Sequence, residues 1–335
     1  MNILFLHRSF PGQFRFLAAA MACDPNNVVM FITEEEKNEI EGVTKLIYKL
    51  DKIDKNGSHQ YFQDFENSVQ HGEATAQIAF MLKQQGFKPD VIYGFSSWGN
   101  TMFMKDVFPD VPLLTYFEWY QNPEGTDMDF DGTILNEDDK ARIRCNNSHL
   151  LVDLVACDAG ISPTHWQKNQ FPKEFQDKIT VIHDGIDTEL CKPNSDAKFF
   201  IKDKFLELTA KDEVITYGTR GMEPYRGFPQ FMEAVEKLLK KRPNAHFVIP
   251  GNDAVYYGTE LKNKTYKELM LEKLDIDLNR VHFVGEFPLA EYIKLLQVSS
   301  AHIYLTYPFV LSWSILNAMA TGCCVIASNT KPVLE

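Results

Sequence analysis

Cysteine is scarce in this chain, and what there is forms no framework. Cys23, Cys145, Cys157, Cys191, Cys323 and Cys324 show neither a CxxC pair nor disulfide-dense spacing. They read as reduced, mostly buried thiols of a cytoplasmic protein. No run approaches the ~20 apolar residues of a membrane span, which leaves at most peripheral membrane contact. The opening MNILFLHRSFPGQF is too short in its apolar stretch for a signal peptide and reads as a first buried strand. Nine histidines supply no HExxH and no tight ligand pair, so no metal site is expected. GxGxxG does not follow the first strand, and GxxxxGK[ST] and GxSxG are missing. Dinucleotide, P-loop and α/β-hydrolase chemistries lose their main support. Positive charge is also short: 34 Lys and Arg face 46 Asp and Glu, for a net charge of -12. That balance argues against nucleic acid as a partner. An anionic substrate then requires a local cationic site, and attention goes to the arginines.

What is present is the material of two α/β domains. The chain has 335 residues, 44% hydrophobic and 24% charged, enough to bury sizeable cores. Short apolar runs alternate with helical stretches, the pattern of a parallel sheet covered on both faces. Strands are expected at 2–7, 27–33, 90–95, 112–117, 159–162 and 179–185, with helices at 74–85 and 136–154. The rhythm restarts with strands at 213–219, 246–251, 281–286, 302–307 and 323–328. The helix after the first of these carries Phe228, Phe231, Met232, Val235, Leu238 and Leu239 at helical spacing, a core stripe. Residues 186–212 are polar and place a boundary near 188. The expectation is an N-terminal domain, 1–188, and a C-terminal domain, 189–335, with an interdomain cleft at the carboxyl ends of the strands.

Several segments carry candidate chemistry. In HRSFPGQF, Gly12 sits between a strand and a helix, where a missing Cβ admits a phosphate or sugar, though a plain turn looks the same. In TYGTRGMEPYRGF, Arg220 and Arg226 flank a loop leading into a helix at Gly227. Two guanidiniums there can hold a diphosphate and stabilise charge on a departing phosphate; surface pairing with Glu223 is the bland alternative. In YPFVLSWSILNAMATGCCVIAS, Ser312 or Ser314 caps a helix that carries Asn317 and ends at Gly322. Gly251 and the glycine of HFVGEF stand at strand ends, where backbone groups can meet a donor's nucleobase or phosphate, though a plain turn looks the same. In YFEWYQNPEG, Glu118 is placed to act as acid, base or hydroxyl acceptor, and Trp119 and Tyr120 either stack on a sugar or simply pack. His7 and His183 lie near strand ends.

The ordered set FPGQF, DVIYGFSSWGN, YFEWYQNPEG, SPTHWQKNQFP, VIHDGIDTE, EPYRGFPQFMEA, VHFVGEFP and TYPFVLSWSILNAMATGC resembles retaining glycosyltransferases of family 4. The likeness is to a bacterial subgroup with FPGQF and EPYRGF, and it runs from residue 1 to 335. It implies a GT-B fold of two Rossmann-like domains, with donor held mainly by the second and acceptor by the first. It also implies retention of anomeric configuration and no obligatory metal or other cofactor. By position, Gly12 matches the N-terminal loop glycine near the donor, and Arg220 and Arg226 match the basic pair on the diphosphate. Glu286 and Phe287 match the segment that meets the nucleobase. Glu118 falls where many relatives carry a His.

The family's paired glutamates, eight positions apart, are Phe309 and Asn317 here, so the usual ribose carboxylate is an amide. Losing a charge-assisted bond costs on the order of 1–3 kcal/mol. Relatives continue past the position of Glu335, so the resemblance implies an incomplete second domain. The reading is transfer of a hexose-type sugar from a nucleoside-diphosphate sugar to a glycan, lipid or small-molecule acceptor, as in polysaccharide synthesis. The rivals are a catalytically impaired homologue that binds nucleotide or glycan, a nucleotide-sugar epimerase and a glycan phosphorylase.

Overall fold

A computed structural model describes residues 1–50 and 59–335. The chain divides into two compact units, Met1–Gly185, to which Glu335 is assigned, and Ile186–Leu334. Each is a parallel sheet covered by helices, so the expected pair of doubly wound, Rossmann-like α/β domains is what forms.

The first unit has seven strands: β1 Asn2–Leu6, β2 Val28–Thr33, β3 Val43–Ile47, β4 Val91–Phe95, β5 Leu113–Tyr116, β6 Ala159–Ser162 and β7 Ile179–Val181. They pair in the order β3-β2-β1-β4-β5-β6-β7. Leu4, Leu6, Ile92 and Leu113 face one core, and Ile3, Phe5, Phe31 and Tyr93 the other. This period-two division follows from the pleat. β3 escapes the sequence reading because it is a short edge strand, half-exposed, with Thr44 and Lys45 at its centre.

The helix expected at 74–85 begins earlier and covers Gln63–Gln84. Its first turns bury Ser68, His71 and Gly72 rather than an apolar stripe, which removes the periodic signal. The helix expected at 136–154 is two helices, Glu137–Asn146 and Ser148–Ala156. Asn147 lies between them: its Oδ1 accepts from Gln121 N at 3.0 Å and its Nδ2 donates to Gln121 O at 2.8 Å. The strand expected at 179–185 stops at Val181.

The second unit opens with an antiparallel hairpin, β8 Lys198–Ile201 and β9 Leu206–Thr209. The sequence reading took this stretch for a polar boundary. Alternation explains the error: Phe199, Ile201 and Leu208 point inward against Val248 and Leu295, while their neighbours face water. The sheet follows with β10 Val214–Tyr217, β11 His246–Pro250, β12 Val281–Gly285, β13 Ala301–Tyr304 and β14 Val325–Ala327, ordered β12-β11-β10-β13-β14. The helix Phe228–Lys241 buries Phe228, Phe231, Met232, Val235 and Leu239 as its spacing required.

All six cysteines are free, but only Cys157 and Cys191 are buried, so "mostly buried" does not hold. Among the described residues no helix is long and apolar enough to cross a membrane.

Candidate functional site

Each sheet contains one place where the direction of winding reverses. In the second unit the chain steps outward from β10 to β11 and β12, then returns to β13 on the opposite side. Loops leaving the carboxyl ends of β10 and β13 therefore diverge and leave a crevice, the usual ligand position in such sheets.

Arg226 bridges this point. Its Nη1 donates to Thr306 Oγ1 at 2.9 Å, joining the loop after β10 to the loop after β13. Its guanidinium lies 5.5 Å from the ring of Tyr257 and 6.0 Å from that of Phe309. Tyr225 stacks on Tyr307 at 4.7 Å, and Tyr257 meets Phe309 at 4.9 Å, so aromatic rings wall the group in. The backbone is fixed as well, since Tyr217 Oη donates to Arg226 O at 2.6 Å. Arg220 is exposed, and its guanidinium sits 3.9 Å over Tyr256. Neither arginine forms an ion pair among the described residues. Guanidiniums resting on aromatic faces keep their hydrogen-bonding edges available.

Glu223 stands between the two arginines in sequence and is almost fully buried, at 1% exposed. It is not the surface partner considered above. Its Oε2 accepts from Tyr256 N and, at 3.0 Å, from Tyr257 N, and so clamps the loop after β11 onto the loop after β10. Burial raises its pKa, opposed by those two N–H groups and by the arginines.

Gly251 allows the two loops to meet. Its φ is +113°, and a Cβ would stand 2.0 Å from Thr219 O. Asn252 N donates to Arg220 O at 3.0 Å, and Met222 N to Asn252 O at 3.2 Å. Asn252 Nδ2 also reaches Glu286 Oε1 at 2.8 Å, placing the exposed Glu286 beside the same loop. Phe287 turns instead toward Phe199, 5.7 Å away, as part of the packing on the hairpin.

Beyond β13, Ser312 caps the helix Trp313–Ala320: its Oγ accepts from Ser314 N at 3.1 Å and lies 2.7 Å from Ser314 Oγ. Ser312 N donates to Tyr304 Oη at 3.0 Å. Asn317 is placed differently from Ser312 and Ser314. It is 5% exposed, and its Oδ1 accepts from Cys191 Sγ at 3.5 Å. The amide thus answers the question of a polar residue among Ile315 and Ala318 through a contact inside the unit.

In the first unit, Gly12 has φ +53°, and a Cβ there would strike the His7 ring at 2.6 Å. His7 Nδ1 accepts from Ser9 N at 2.8 Å, so the neutral ring carries its proton on Nε2. That Nε2 donates to Gln13 Oε1 at 2.8 Å, and Gln13 Nε2 donates to Glu118 Oε1 at 2.8 Å. Burial lowers the His7 pKa to about 4, which keeps this relay uncharged at its origin. Glu118 is half-buried, and its carbonyl accepts from Gln167 Nε2 at 2.8 Å. Trp119 and Tyr120 are packing residues: Trp119 lies 6.2 Å from Trp166, and Tyr120 lies 5.5 Å from Phe171. His183 Nδ1 accepts from Gly185 N at 3.0 Å.

Sequence reasoning singled out Arg220 and Arg226 but missed Glu223 as a clamp, the Tyr256–Tyr257 pair and Thr306. Two consecutive tyrosines in a polar loop after a strand were the available signal. Among the described residues no group of three or more His, Cys, Asp or Glu is gathered to hold a metal ion.

Residues 25–191 match the family model described as Glycosyl transferase family 4 group, and residues 199–335 that of Glycosyl transferases group 1. No curated protein matches the sequence significantly. Among solved structures, sucrose-phosphate synthase from Thermosynechococcus elongatus is similar with TM-score 0.66 and 14% identity, over 98% of this chain and 82% of that one. The catalytic domain of Starch Synthase IV from Arabidopsis thaliana, bound to ADP and acarbose, gives TM-score 0.64 and 13% identity, over 99% and 83%. A variant of S. aureus TarM, in complex with Fondaparinux, alpha-GlcNAc-glycerol and UDP, gives 0.51 and 17%, over 77% and 45%.

Proposed function

Because this chain belongs to the glycosyltransferases of GT-B fold, joining a family 4 group half to a group 1 half, we propose that it transfers a hexose-type sugar from a nucleoside-diphosphate sugar with retention of configuration. The observation that carries the reading is Arg226. It sits across the β10/β13 switch point, bonded to Thr306 and walled by aromatic rings, and forms no ion pair among the described residues.

In this reading Arg226 and Arg220 hold the donor's diphosphate, and the N–H groups opening the helix Trp313–Ala320 add their dipoles. The backbone at Gly251 and the carboxylate of Glu286 lie where the nucleoside end extends. As the glycosidic bond lengthens, negative charge grows on the leaving phosphate oxygen. Fixed guanidiniums stabilise that charge more than they stabilise the ground state. The same oxygen then removes the acceptor hydroxyl's proton on the face it has left, so the new bond forms on that face and configuration is kept. This chemistry needs no metal, because the arginines supply the positive charge. In the first domain Glu118, set by Gln13 and the neutral His7, orients a hydroxyl by accepting from it. Asn317, turned toward Cys191, is assigned no ribose contact.

The test is calorimetric titration with a panel of nucleoside diphosphates, run beside turnover of the corresponding sugar donors. One nucleotide binding the native chain, with Arg226→Ala and Arg220→Ala each losing at least tenfold in affinity and most turnover, is the expected result. Equal affinity in both variants would overturn the assignment.

A further inference from the structure

The motif DVIYGFSSWGN has no role in the donor chemistry, yet it lies at the other switch point. The first sheet reverses direction between β1 and β4, so the loops after these strands open its crevice. Arg8 follows β1, Glu34 follows β2 and Trp98 follows β4. The guanidinium of Arg8 lies 4.9 Å from the Trp98 ring centre, and its Nε donates to Glu34 Oε2 at 2.8 Å.

We propose that Arg8, Glu34 and Trp98 form a binding platform for a neutral saccharide. That this saccharide is the acceptor rests on the transferase reading above; that it binds does not.

Three observations support it. The first is preorganisation. Trp98 ends a short turn, Ser96–Trp98, closed by Gly99 at φ +84°. A Cβ on Gly99 would stand 2.1 Å from Ser68 O, so the turn is pressed flat onto the helix Gln63–Gln84. Ser96 Oγ donates to Tyr116 O at 3.0 Å. Asn100, fully buried, donates to Tyr48 Oη at 2.9 Å and to Thr75 Oγ1 at 3.0 Å. Arg8 is held equally well, its carbonyl accepting from Thr33 Oγ1 at 2.8 Å and Glu34 N at 3.1 Å.

The second is exposure. On this rigid base Trp98 remains 38% exposed, and the side chains of Arg8 and Glu34 remain 39% and 32% exposed. A partly exposed ion pair of this kind contributes little to stability, and an indole left in water contributes less than a buried one. Folding alone does not account for fixing them so firmly.

The third is chemistry. A planar indole offers an apolar face to the C–H face of a pyranose ring. Arg8, whose guanidinium lies over one side of that indole, uses one of its five N–H donors on Glu34, and the carboxylate retains acceptor capacity. Donor and acceptor side by side suit vicinal hydroxyl groups. Because the two charges are paired, the platform carries no net charge with which to favour an anion, and a carboxylated or phosphorylated sugar gains no net attraction from it.

The experiment uses the full chain in calorimetric titrations with glucose, galactose, N-acetylglucosamine and maltose, with glucuronate as the anionic control. Binding of at least one neutral saccharide is expected, weakened at least tenfold in Trp98→Ala and in Glu34→Gln, and partly restored in Trp98→Phe. Affinity for a nucleoside diphosphate should stay within twofold in all three variants, which also reports that they fold. Failure of every neutral saccharide to bind, binding unchanged in Trp98→Ala, or preference for glucuronate would overturn the platform. Trp98-dependent saccharide binding without any nucleotide binding would support the platform while removing the donor reading.

Discussion

Replacing Glu223 separates two explanations of the loop geometry. The carboxylate is 1% exposed and accepts two successive backbone N–H groups, of Tyr256 and Tyr257. In Glu223→Ala both donors lose their acceptor. They are part-buried, so water recovers some of the loss, and a cost of about 1–3 kcal/mol is expected. For a domain of this size that lowers the melting temperature by roughly 2–4 °C per kcal/mol. Glu223→Gln should behave differently. The amide oxygen still accepts, and no charge is buried. The folded-state pKa is raised, with burial as the largest cause. A raised pKa means that Glu223 contributes most stability when protonated and loses it as pH rises through its folded pKa. The glutamine variant should therefore match the native chain at acid pH and be no less stable at neutral pH. Thermal melting of the three proteins from pH 5 to 8 is the assay. If Glu223→Gln is as damaged at neutral pH as Glu223→Ala, attraction to the arginines outweighs burial, and the clamp has been misread.

Four further outcomes follow. Arg226→Lys keeps the charge but loses the planar group bonded to Thr306 and set between Tyr257 and Phe309, so nucleoside diphosphate affinity should fall about tenfold, about 1.4 kcal/mol; unchanged titrations would refute it. Gly251→Ala forces a Cβ to 2.0 Å from Thr219 O at φ +113°, and should destabilise the chain and weaken nucleotide binding together; a variant melting like the native chain would refute the close approach of the two loops. His7, His71, His149, His282 and His302 are each lowered from 6.5 to about 4, chiefly by burial. Their contributions are present above pH 6.5 and lost as pH falls toward 4, so circular dichroism should show cooperative acid unfolding within that window, and native spectra at pH 4 would contradict the burial. Asp153, fully buried on Thr101, is raised from 3.8 to about 7, so its cost grows as pH climbs between those values, and Asp153→Asn should be increasingly stabilising from about pH 4 to 7 and level above that by urea titration; equal stability at pH 8 would exclude that penalty.

The strands that matter were readable because they are buried on both faces, and runs such as ILFL and VITY leave no other economical fold. Elements with one wet face were not. β3 and the β8–β9 hairpin alternate, and the first turns of the helix Gln63–Gln84 are polar, so apolar periodicity never announced them. The site divides the same way. Arg220 and Arg226 were visible as cations in an acidic chain. Their aromatic supports were not, because Tyr256 reaches Arg220 only when β10 and β11 pair and Gly251 lets their loops touch. Glu223 looked like a surface partner because sequence cannot distinguish a carboxylate bound to guanidinium from one bound to amide hydrogens. Asn317 shows the same limit: nothing local reveals that Cys191, far earlier in the chain, donates to its oxygen.

The two halves use one device with opposite electrostatic results. In each sheet an arginine follows the strand where winding begins and contacts the loop beyond the neighbouring strand across the reversal: Arg8 with Trp98 across β1/β4, Arg226 with Thr306 across β10/β13. In the first domain Glu34 neutralises the guanidinium at 2.8 Å. In the second, Glu223 is spent on backbone amides, and Arg226 forms no ion pair among the described residues. On the proposed reading, a topology that offers the same crevice twice therefore yields one site with no net charge and one that is cationic. The first suits a hydroxylated ligand and the second a diphosphate. That division of labour is what a transferase with an uncharged acceptor and a doubly phosphorylated donor requires, and it would be lost if Glu34→Gln made the first crevice bind nucleoside diphosphate as tightly as the second.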